Sequence, residues 1–171
     1  MTRILGIDPG SRYTGYGIID HQRGQARLVA AGRIAAGDGD VAARLVKIDA
    51  ELSGLLREYP SDEAAFEDVF VKNNVRSALV LGQARGVALC AVARAGVPVA
   101  EYAPAQIKMA LTGTGRAEKE QVQHMVRILL NLQARIPADA ADALAVALTH
   151  AQVRATQRSI GAAGLRGRGR P

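Results

Sequence analysis

Three short apolar runs open the chain, at residues 3–8, 13–20 and 26–34, and each is bounded by Pro, Gly or polar residues. Runs of this length with such boundaries are typical of strands. The connections between them are too short to hold a crossover helix. The three strands are therefore predicted to pair as an antiparallel meander.

After residue 40 the spacing of apolar positions becomes helical. Val41, Leu45, Ile48 and Leu52 recur every three or four residues, which predicts an amphipathic helix that ends near Pro60. Further strands are predicted at 63–70 and 97–102, and further helices at 77–95, 104–111, 118–132 and 137–154. This order predicts an α/β domain with a mixed five-stranded sheet, three antiparallel strands followed by parallel ones, flanked by helices.

The predicted domain covers residues 1–154, and the rest of the chain differs in composition. Residues 155–171 contain four arginines and no acidic residue, and they end in GAAGLRGRGRP. This Gly/Arg-rich tail is predicted to be disordered, either as a dispensable terminus or as a basic arm that contacts phosphates. The net charge of +6 favours an anionic partner.

Several features point to a cytoplasmic protein without a membrane segment. The single cysteine, Cys90, excludes a disulfide framework. The start MTRILGIDPG does not have the pattern of a signal peptide, and the longest apolar stretch, 78–95, is interrupted by charged residues. His21 and His150 show no partner in the sequence pattern and are expected at the surface.

Four carboxylates stand where a purely structural pattern does not favour them. Asp8 ends the first strand, Glu67 lies in the fourth, and Asp139 and Asp142 lie one turn apart on the last helix. Each has an ordinary explanation as a turn residue, an exposed strand residue or an acid favoured by the helix dipole. If the first and fourth strands are neighbours and the last helix crosses them, the four acids crowd together and require a cation. Two Mg²⁺ or Mn²⁺ ions would suit such oxygen ligands and could hydrolyse a phosphodiester.

The glycines of LGIDPG and TGYG permit a second interpretation. A strand–Asp–Gly hairpin of this type also cradles ATP phosphates in actin-like and sugar-kinase ATPases. Those ATPases need two such domains, whereas 171 residues supply one. The hydrolysis of a phosphodiester is therefore favoured over that of ATP.

Basic and aromatic residues near these acids indicate a nucleic-acid partner. The candidate contacts are Phe70, Lys72, Arg76, Lys108, Arg116 and Lys119. The first three follow the strand of Glu67, where an aromatic ring could stack on an unpaired base. The other three surround a glycine turn before a helix N-terminus, which favours phosphate binding. A core position for Phe70 and simple solvation of the charges are the alternatives.

The predicted helix 77–95 is apolar or small on nearly every face. Such a helix needs cover on both sides. The sheet covers one side, and either a second copy of the chain or its own other helices cover the other.

Together these motifs make the sequence resemble the RuvC-type crossover junction resolvases of bacteria from Ile4 to about Ala151. The resemblance is carried by LGIDPGSRYTGYGII, FEDVF, SALVLGQARGVAL, EKEQVQHMV and ADAADALAVALTH. It implies a ribonuclease-H-like fold, a homodimer, and a Mg²⁺-dependent endonuclease that resolves Holliday junctions by paired symmetric nicks in recombination and repair. It also implies a partnership with the branch-migration helicase complex and a preference for a short T-containing cleavage sequence.

The resemblance also implies roles for single residues. It makes four acids the metal ligands, namely Asp8, Glu67, Asp139 and Asp142, and it implies products with a 5′-phosphate and a 3′-hydroxyl. Phe70 matches an aromatic residue that opens the junction, and Lys108 and Lys119 match basic residues near the cleaved strand. Asn73 and Val80 stand where basic residues are expected, which affects DNA contact and not the carboxylates. A related small resolvase-like family is disfavoured because it lacks FEDVF and GQARG. A non-catalytic junction-binding protein of the same fold is the alternative from another class.

Overall fold

The computed structural model describes residues 1–68, 75–134 and 136–166, with side chains up to Arg158. The strands are β1 (Thr2–Asp8), β2 (Tyr13–Gln22), β3 (Gln25–Ala35), β4 (Glu63–Glu67) and β5 (Val99–Tyr102). The helices are α1 (Val41–Glu58), α2 (Val75–Arg94), α3 (Pro104–Thr112), α4 (Lys119–Leu129) and α5 (Ala138–Arg166).

The five strands form one mixed sheet in the order β3-β2-β1-β4-β5. β1 pairs antiparallel with β2, and β2 pairs antiparallel with β3. β4 pairs parallel with β1 and with β5. The predicted mixed sheet is therefore confirmed, including the adjacency of the first and fourth strands on which the carboxylate cluster depends.

Each face of the sheet carries its own hydrophobic core. Ile4 of β1 packs with residues of α3, α4 and α5, whereas Leu5 and Ile7 pack with residues of α1 and α2. This division follows from the alternation of side chains along a strand. The sheet is thus covered on both faces, as the sequence pattern predicts.

Two glycines let α5 lie unusually close to the sheet. A Cβ atom on Gly6 would lie 2.1 Å from the carbonyl oxygen of Ala143, and one on Gly15 would lie 2.1 Å from that of Asp139. No side chain fits at such distances. The glycines of the opening motif therefore bring the start of α5, with its acids, against the ends of β1 and β2.

Several predicted boundaries differ from the structure, and two of them bear on the predicted site and tail. α5 continues to Arg166, whereas the sequence pattern ends the last helix near residue 154; the disorder expected for residues 155–171 stays a prediction. The physical reason for the longer helix is that residues 155–166 contain no proline and several alanines, and only their two glycines oppose helix formation. β4 ends at Glu67, and residues 69–74, which include the candidates Phe70 and Lys72, lie outside the described residues, as do residues 167–171. The domain boundary at residue 154 stays a prediction.

Within the described ranges, one helix, α2, is long and apolar enough to cross a membrane by length and composition. Its buried residues Ala84, Ala88, Ala91 and Val92 pack in the same core as α1 and the sheet. A core helix of a globular protein meets the same criteria, so α2 is weak evidence for a membrane span.

Candidate active site

The candidate site forms where two parallel strands end. Asp8 is the last residue of β1 and Glu67 is the last residue of β4. The register pairs Ile7 with Phe66, which makes Asp8 and Glu67 lateral neighbours at the carboxyl edge of the sheet. The adjacency expected from the sequence is present.

The start of α5 completes this edge. Asp142 lines a cavity of about 390 Å³ together with Asp8 and Glu67. The rest of the lining comes from α3, α4 and α5, namely Pro104, Ile107, Lys108, Lys119, Val122 and Ala145. Three of the four predicted acids therefore share one cavity with two of the predicted basic residues, Lys108 and Lys119.

Crowding of these acids changes their proton affinity. Burial, followed by the negative charges of Glu67 and Asp142, raises the pKa of Asp8 to about 7. Burial, followed by the charge of Asp142, also raises the pKa of Glu67. Both shifts have the sign expected for carboxylates that lack a compensating cation. The electrostatic potential of the cavity therefore favours the binding of a cation.

Lys119 supplies part of that charge. Its Nζ atom donates a hydrogen bond to Oδ2 of Asp142 at 2.6 Å, and this bond raises the pKa of the lysine. Lys119 and Lys108 both act to lower the pKa of Glu67. The two lysines thus lie within electrostatic reach of the carboxylates and face the same cavity.

Asp139 lies beside the cavity and does not line it. Its Oδ2 atom is 3.7 Å from Nη1 of Arg33, and its charge contributes to the raised pKa of Asp8. The guanidinium carbon of Arg33 lies 4.4 Å from the ring centroid of Tyr13, a cation–π geometry. Sequence reasoning missed Arg33 and Tyr13, because their proximity to Asp139 depends on the register of β2 and β3.

Two further predicted DNA contacts, Arg76 and Arg116, are among the described residues. Arg76 is exposed in the first turn of α2, and Arg116 is exposed between α3 and α4. Neither residue lines the carboxylate cavity. Their contribution to DNA binding stays a prediction.

Within the described ranges, no three His, Cys, Asp or Glu side chains are arranged to hold a metal ion as they stand. Lys119 bonds Asp142 and Arg33 lies beside Asp139, so two of the four acids have cationic neighbours. The donor set is nevertheless all oxygen, with the proton affinity of Asp8 raised by its acidic neighbours, which fits a hard divalent cation. Asp8, Glu67 and Asp142 are the residues that would hold it.

The expectation that His150 is a simple surface residue is wrong. Its Nδ1 atom lies 2.7 Å from the hydroxyl of Tyr102, and its Nε2 atom lies 2.7 Å from Oε2 of Glu63. Nε of Arg154 donates to Oε1 of the same glutamate at 2.6 Å. These four residues connect α5 to β4 and β5, a network formed by contacts between residues more than 45 positions apart, which local patterning does not reveal.

Comparison with known proteins agrees with this geometry. The family model "Crossover junction endodeoxyribonuclease RuvC" matches residues 4–150. A protein with that description from Xanthomonas oryzae pv. oryzae is 54% identical over 163 residues, which cover 94% of each chain. The structure of Thermus thermophilus RuvC in complex with a Holliday junction substrate superposes with a TM-score of 0.85 at 36% identity, over 90% of this chain and 95% of the other. The yeast mitochondrial Holliday junction resolvase Ydc2 shares the fold, with a TM-score of 0.69 at 13% identity over 92% of this chain and 81% of the other.

The fold and the carboxylate cavity define a ribonuclease-H-like nuclease. The chain belongs to the RuvC family of crossover junction endodeoxyribonucleases. Nucleases of this family are metal-dependent and act in DNA recombination and repair.

Proposed function

We propose that this chain resolves Holliday junctions by paired symmetric nicks, and that the carboxylate cavity is its catalytic centre. The observation that carries the proposal is the cavity that Asp8, Glu67 and Asp142 share with Lys108 and Lys119. Acidic groups alone would repel a phosphodiester. A cation held by the acids and two lysines beside them would attract it.

We propose Mg²⁺ as the metal, with two ions per active site and Mn²⁺ as a substitute. Asp8 and Glu67 support this choice because the pKa of each carboxyl is raised, as expected for crowded carboxylates that no cation neutralises. When bound, the ions supply an activated water and stabilise the charge on the leaving 3′ oxygen. Asp142 would act as a ligand once its hydrogen bond to Lys119 is broken, and Asp139, which lies beside the cavity, would be the fourth ligand.

The chain's own residues then orient the substrate. Lys108 and Lys119 are placed to hold a phosphate of the cleaved strand over the carboxylates, because both line the same cavity as Asp8 and Glu67. Release of Asp142 leaves the Lys119 ammonium free to bind that phosphate. The products would be a 5′-phosphate and a 3′-hydroxyl.

A synthetic four-way junction tests the catalytic proposal. Wild-type protein should nick two opposite strands in Mg²⁺ and bind without cleavage in EDTA. The nicks should lie at equivalent positions and be closed by DNA ligase. Binding in both conditions with cleavage in neither would support the alternative, a non-catalytic junction-binding protein of the same fold.

Two symmetric nicks require two active sites, and we propose that a homodimer supplies them. The supporting surface is a groove of about 490 Å³ between α1 and α2, lined by Leu45, Val46, Asp49, Gln83, Gly86, Val87, Cys90 and Arg94. Val46 is 69% exposed, and Leu79 on α2 is 64% exposed. Exposed apolar side chains beside a groove that includes Gly86, Val87 and Cys90 are suited to a second copy of the same surface.

Gly86 offers a direct test of the dimer. No atom lies within 4 Å of a Cβ placed there, so a side chain fits in a single chain but would enter a dimer contact. Gly86→Glu should therefore convert a sedimenting dimer to a monomer, whereas Gly54→Glu on α1, outside the groove, should not. A monomeric wild type at micromolar concentration would contradict the dimer.

The resemblance supports two further proposals, a cytoplasmic location and a partnership with the branch-migration helicase complex. Co-purification of the full-length chain with that complex on junction DNA is the test. If co-purification is lost when the DNA is digested, the two proteins only share the same DNA. That result would contradict direct contact between this chain and the helicase complex.

A further inference from the structure

A second cavity, of about 320 Å³, lies at the end of the sheet opposite the carboxylates. It is enclosed by the chain start, the β2–β3 turn and the later part of α5, and its lining is Met1, Thr2, His21, Gln22, Arg23, Gly24, Arg154, Ala155 and Arg158. We refer to it as the distal cavity. Asp142 of the first cavity and Arg158 of the distal cavity are 16 residues apart on one helix, so these two residues are separated by about 24 Å along α5.

The distal cavity has an excess of positive charge. It is lined by three arginines and no acidic residue. Within the described part of the chain, no hydrogen bond or ion pair holds the side chain of Arg23 or Arg158. The pKa of His21 is lowered first by burial and then by the charges of Arg154 and Arg158, so the local field is positive.

The nearby acids are already engaged. Glu63 accepts from Arg154 and contacts His150, at 2.6 and 2.7 Å. Asp20 forms a two-point ion pair with Arg3. Neither acid is available to neutralise Arg23 or Arg158. An anion from outside the chain would meet this unpaired charge.

Two features fix the positions of the arginines before any ligand binds. Arg154 is held by Glu63 with 18% of its side chain exposed, and Arg158 follows one helical turn later on the same side. Arg23 has a φ of 52°, the left-handed region that arginine rarely adopts, and Gly24 follows with a φ of 80°. A two-residue hairpin turn of this kind favours Asn, Asp or Gly at its first position. An arginine kept in a disfavoured conformation indicates a use for its side chain.

We propose that the distal cavity binds a backbone phosphate of DNA and provides a second contact, at Arg158 about 24 Å along α5 from Asp142. Arginines suit this ligand because the planar guanidinium donates two parallel hydrogen bonds to phosphate oxygens. A duplex segment away from the crossover is the source of the phosphate, since the first cavity takes the cleaved strand. The inference rests on the proposed junction-binding function and extends it to a surface beyond the active site.

The test compares junction binding by Arg23→Asn/Arg158→Gln with binding by Lys47→Gln/Arg57→Gln. The second pair also removes two charges, but from exposed positions on α1 outside both cavities. Asn is favoured at the positive φ of position 23, so the first variant should unfold no more easily than wild type. Binding is measured in EDTA at several salt concentrations.

The distal variant should bind a four-way junction several-fold more weakly. The slope of log K against log salt should fall by about one, the value for one lost phosphate contact. The α1 variant should change neither quantity by as much. Equal weakening by both variants would show that only overall charge matters and would overturn the proposal.

Inorganic phosphate separates the two sources of the ligand. A phosphate that raises the Tm of wild type, together with unchanged junction binding by the distal variant, would show a free-phosphate site and overturn the DNA assignment. Because binding is measured without metal, failure here is separate from failure of the proposed nuclease, which would appear as no cleavage by wild type in Mg²⁺.

Discussion

The Nζ atom of Lys119 lies 2.6 Å from Oδ2 of Asp142, so an ammonium group contacts one of the carboxylates that the proposed metal requires. This bond and a metal ion compete for the same oxygen atom. Lys119→Gln should therefore lower the Mg²⁺ concentration needed for half-maximal binding several-fold. It should also weaken junction binding, with a fall in salt slope of about 0.9 or less.

Lys108→Gln is the matched control for that change. Lys108 faces the same cavity, and among the described residues its side chain makes no ion pair with Asp142. It should weaken junction binding without a comparable change in Mg²⁺ affinity, as measured by titration calorimetry. Equal changes in metal affinity for both variants would assign the effect to overall charge instead of direct competition.

Asp8→Asn should abolish cleavage while junction binding persists. A lost metal ligand costs several kcal/mol of transition-state stabilisation, or a fall in rate of about a thousandfold or more. Because the basic surface is retained, gel-shift affinity in EDTA should be at least that of wild type. Cleavage within tenfold of wild type would remove Asp8 from the ligand set.

The same variant should be more stable than wild type at pH 8 without metal. The pKa of Asp8 is raised from 3.8 to about 7 in the folded chain, so the folded state binds a proton that the unfolded state lacks between those values. Stability of the metal-free wild type should fall as pH rises through this window. The Tm of Asp8→Asn should be above that of wild type at pH 8 and close to it at pH 4. Addition of Mg²⁺ should raise mainly the Tm of the wild type.

Gly15→Ala should displace the start of α5. The new Cβ would lie 2.1 Å from the carbonyl oxygen of Asp139, so the helix or the strand must shift. Overpacking of this kind costs about 1–3 kcal/mol and would move Asp139 and Asp142 from the strand ends. Gly39→Ala, whose Cβ approaches nothing closer than 4.0 Å, is the control. The urea concentration at the midpoint of unfolding and the cleavage rate should both fall for Gly15→Ala. Neither should fall for Gly39→Ala.

The Arg3–Asp20 ion pair gives the fold a pH dependence at low pH. Arg3 donates from Nε and Nη2 at 2.8 and 3.0 Å, and these bonds lower the pKa of Asp20. A lowered folded-state pKa stabilises the fold above the unfolded value of 3.8, and the contribution is lost as pH falls through the folded value. Asp20→Asn should cost about 1 kcal/mol at pH 7, and the difference should be smaller at a pH below 3.8. An unchanged difference at both pH values would show that charge is not involved.

Phe70 lies outside the described residues, and its role in opening the junction stays a prediction. Phe70→Ala should cleave an intact junction slowly, because base stacking worth about 1–3 kcal/mol is lost. A junction with unpaired bases at its centre should restore cleavage to this variant and not to Asp8→Asn. Equal rescue of both variants, or of neither, would make Phe70 an ordinary packing residue.

The strand and helix pattern could be predicted because it is local. The apolar alternation of β1 and the three- and four-residue spacing of α1 follow from which face each element buries. Asp8 at the end of the first strand and Glu67 inside the predicted fourth strand stand out because a purely structural pattern does not favour acids there. The end of α5 was mispredicted, since its later residues carry only weak local signals in either direction.

Local spacing and motifs were enough to predict the order of elements and the family, and they single out four acids as candidate metal ligands. Tertiary packing was needed to show that Lys119 contacts Asp142, that Arg33 lies beside Asp139 and that His150 bonds Glu63. It alone brought Arg23 of the β2–β3 turn to the same cavity as Arg158 of α5. These pairs join residues 23 to 135 positions apart, and their contact depends on strand register and helix packing, which no single segment encodes.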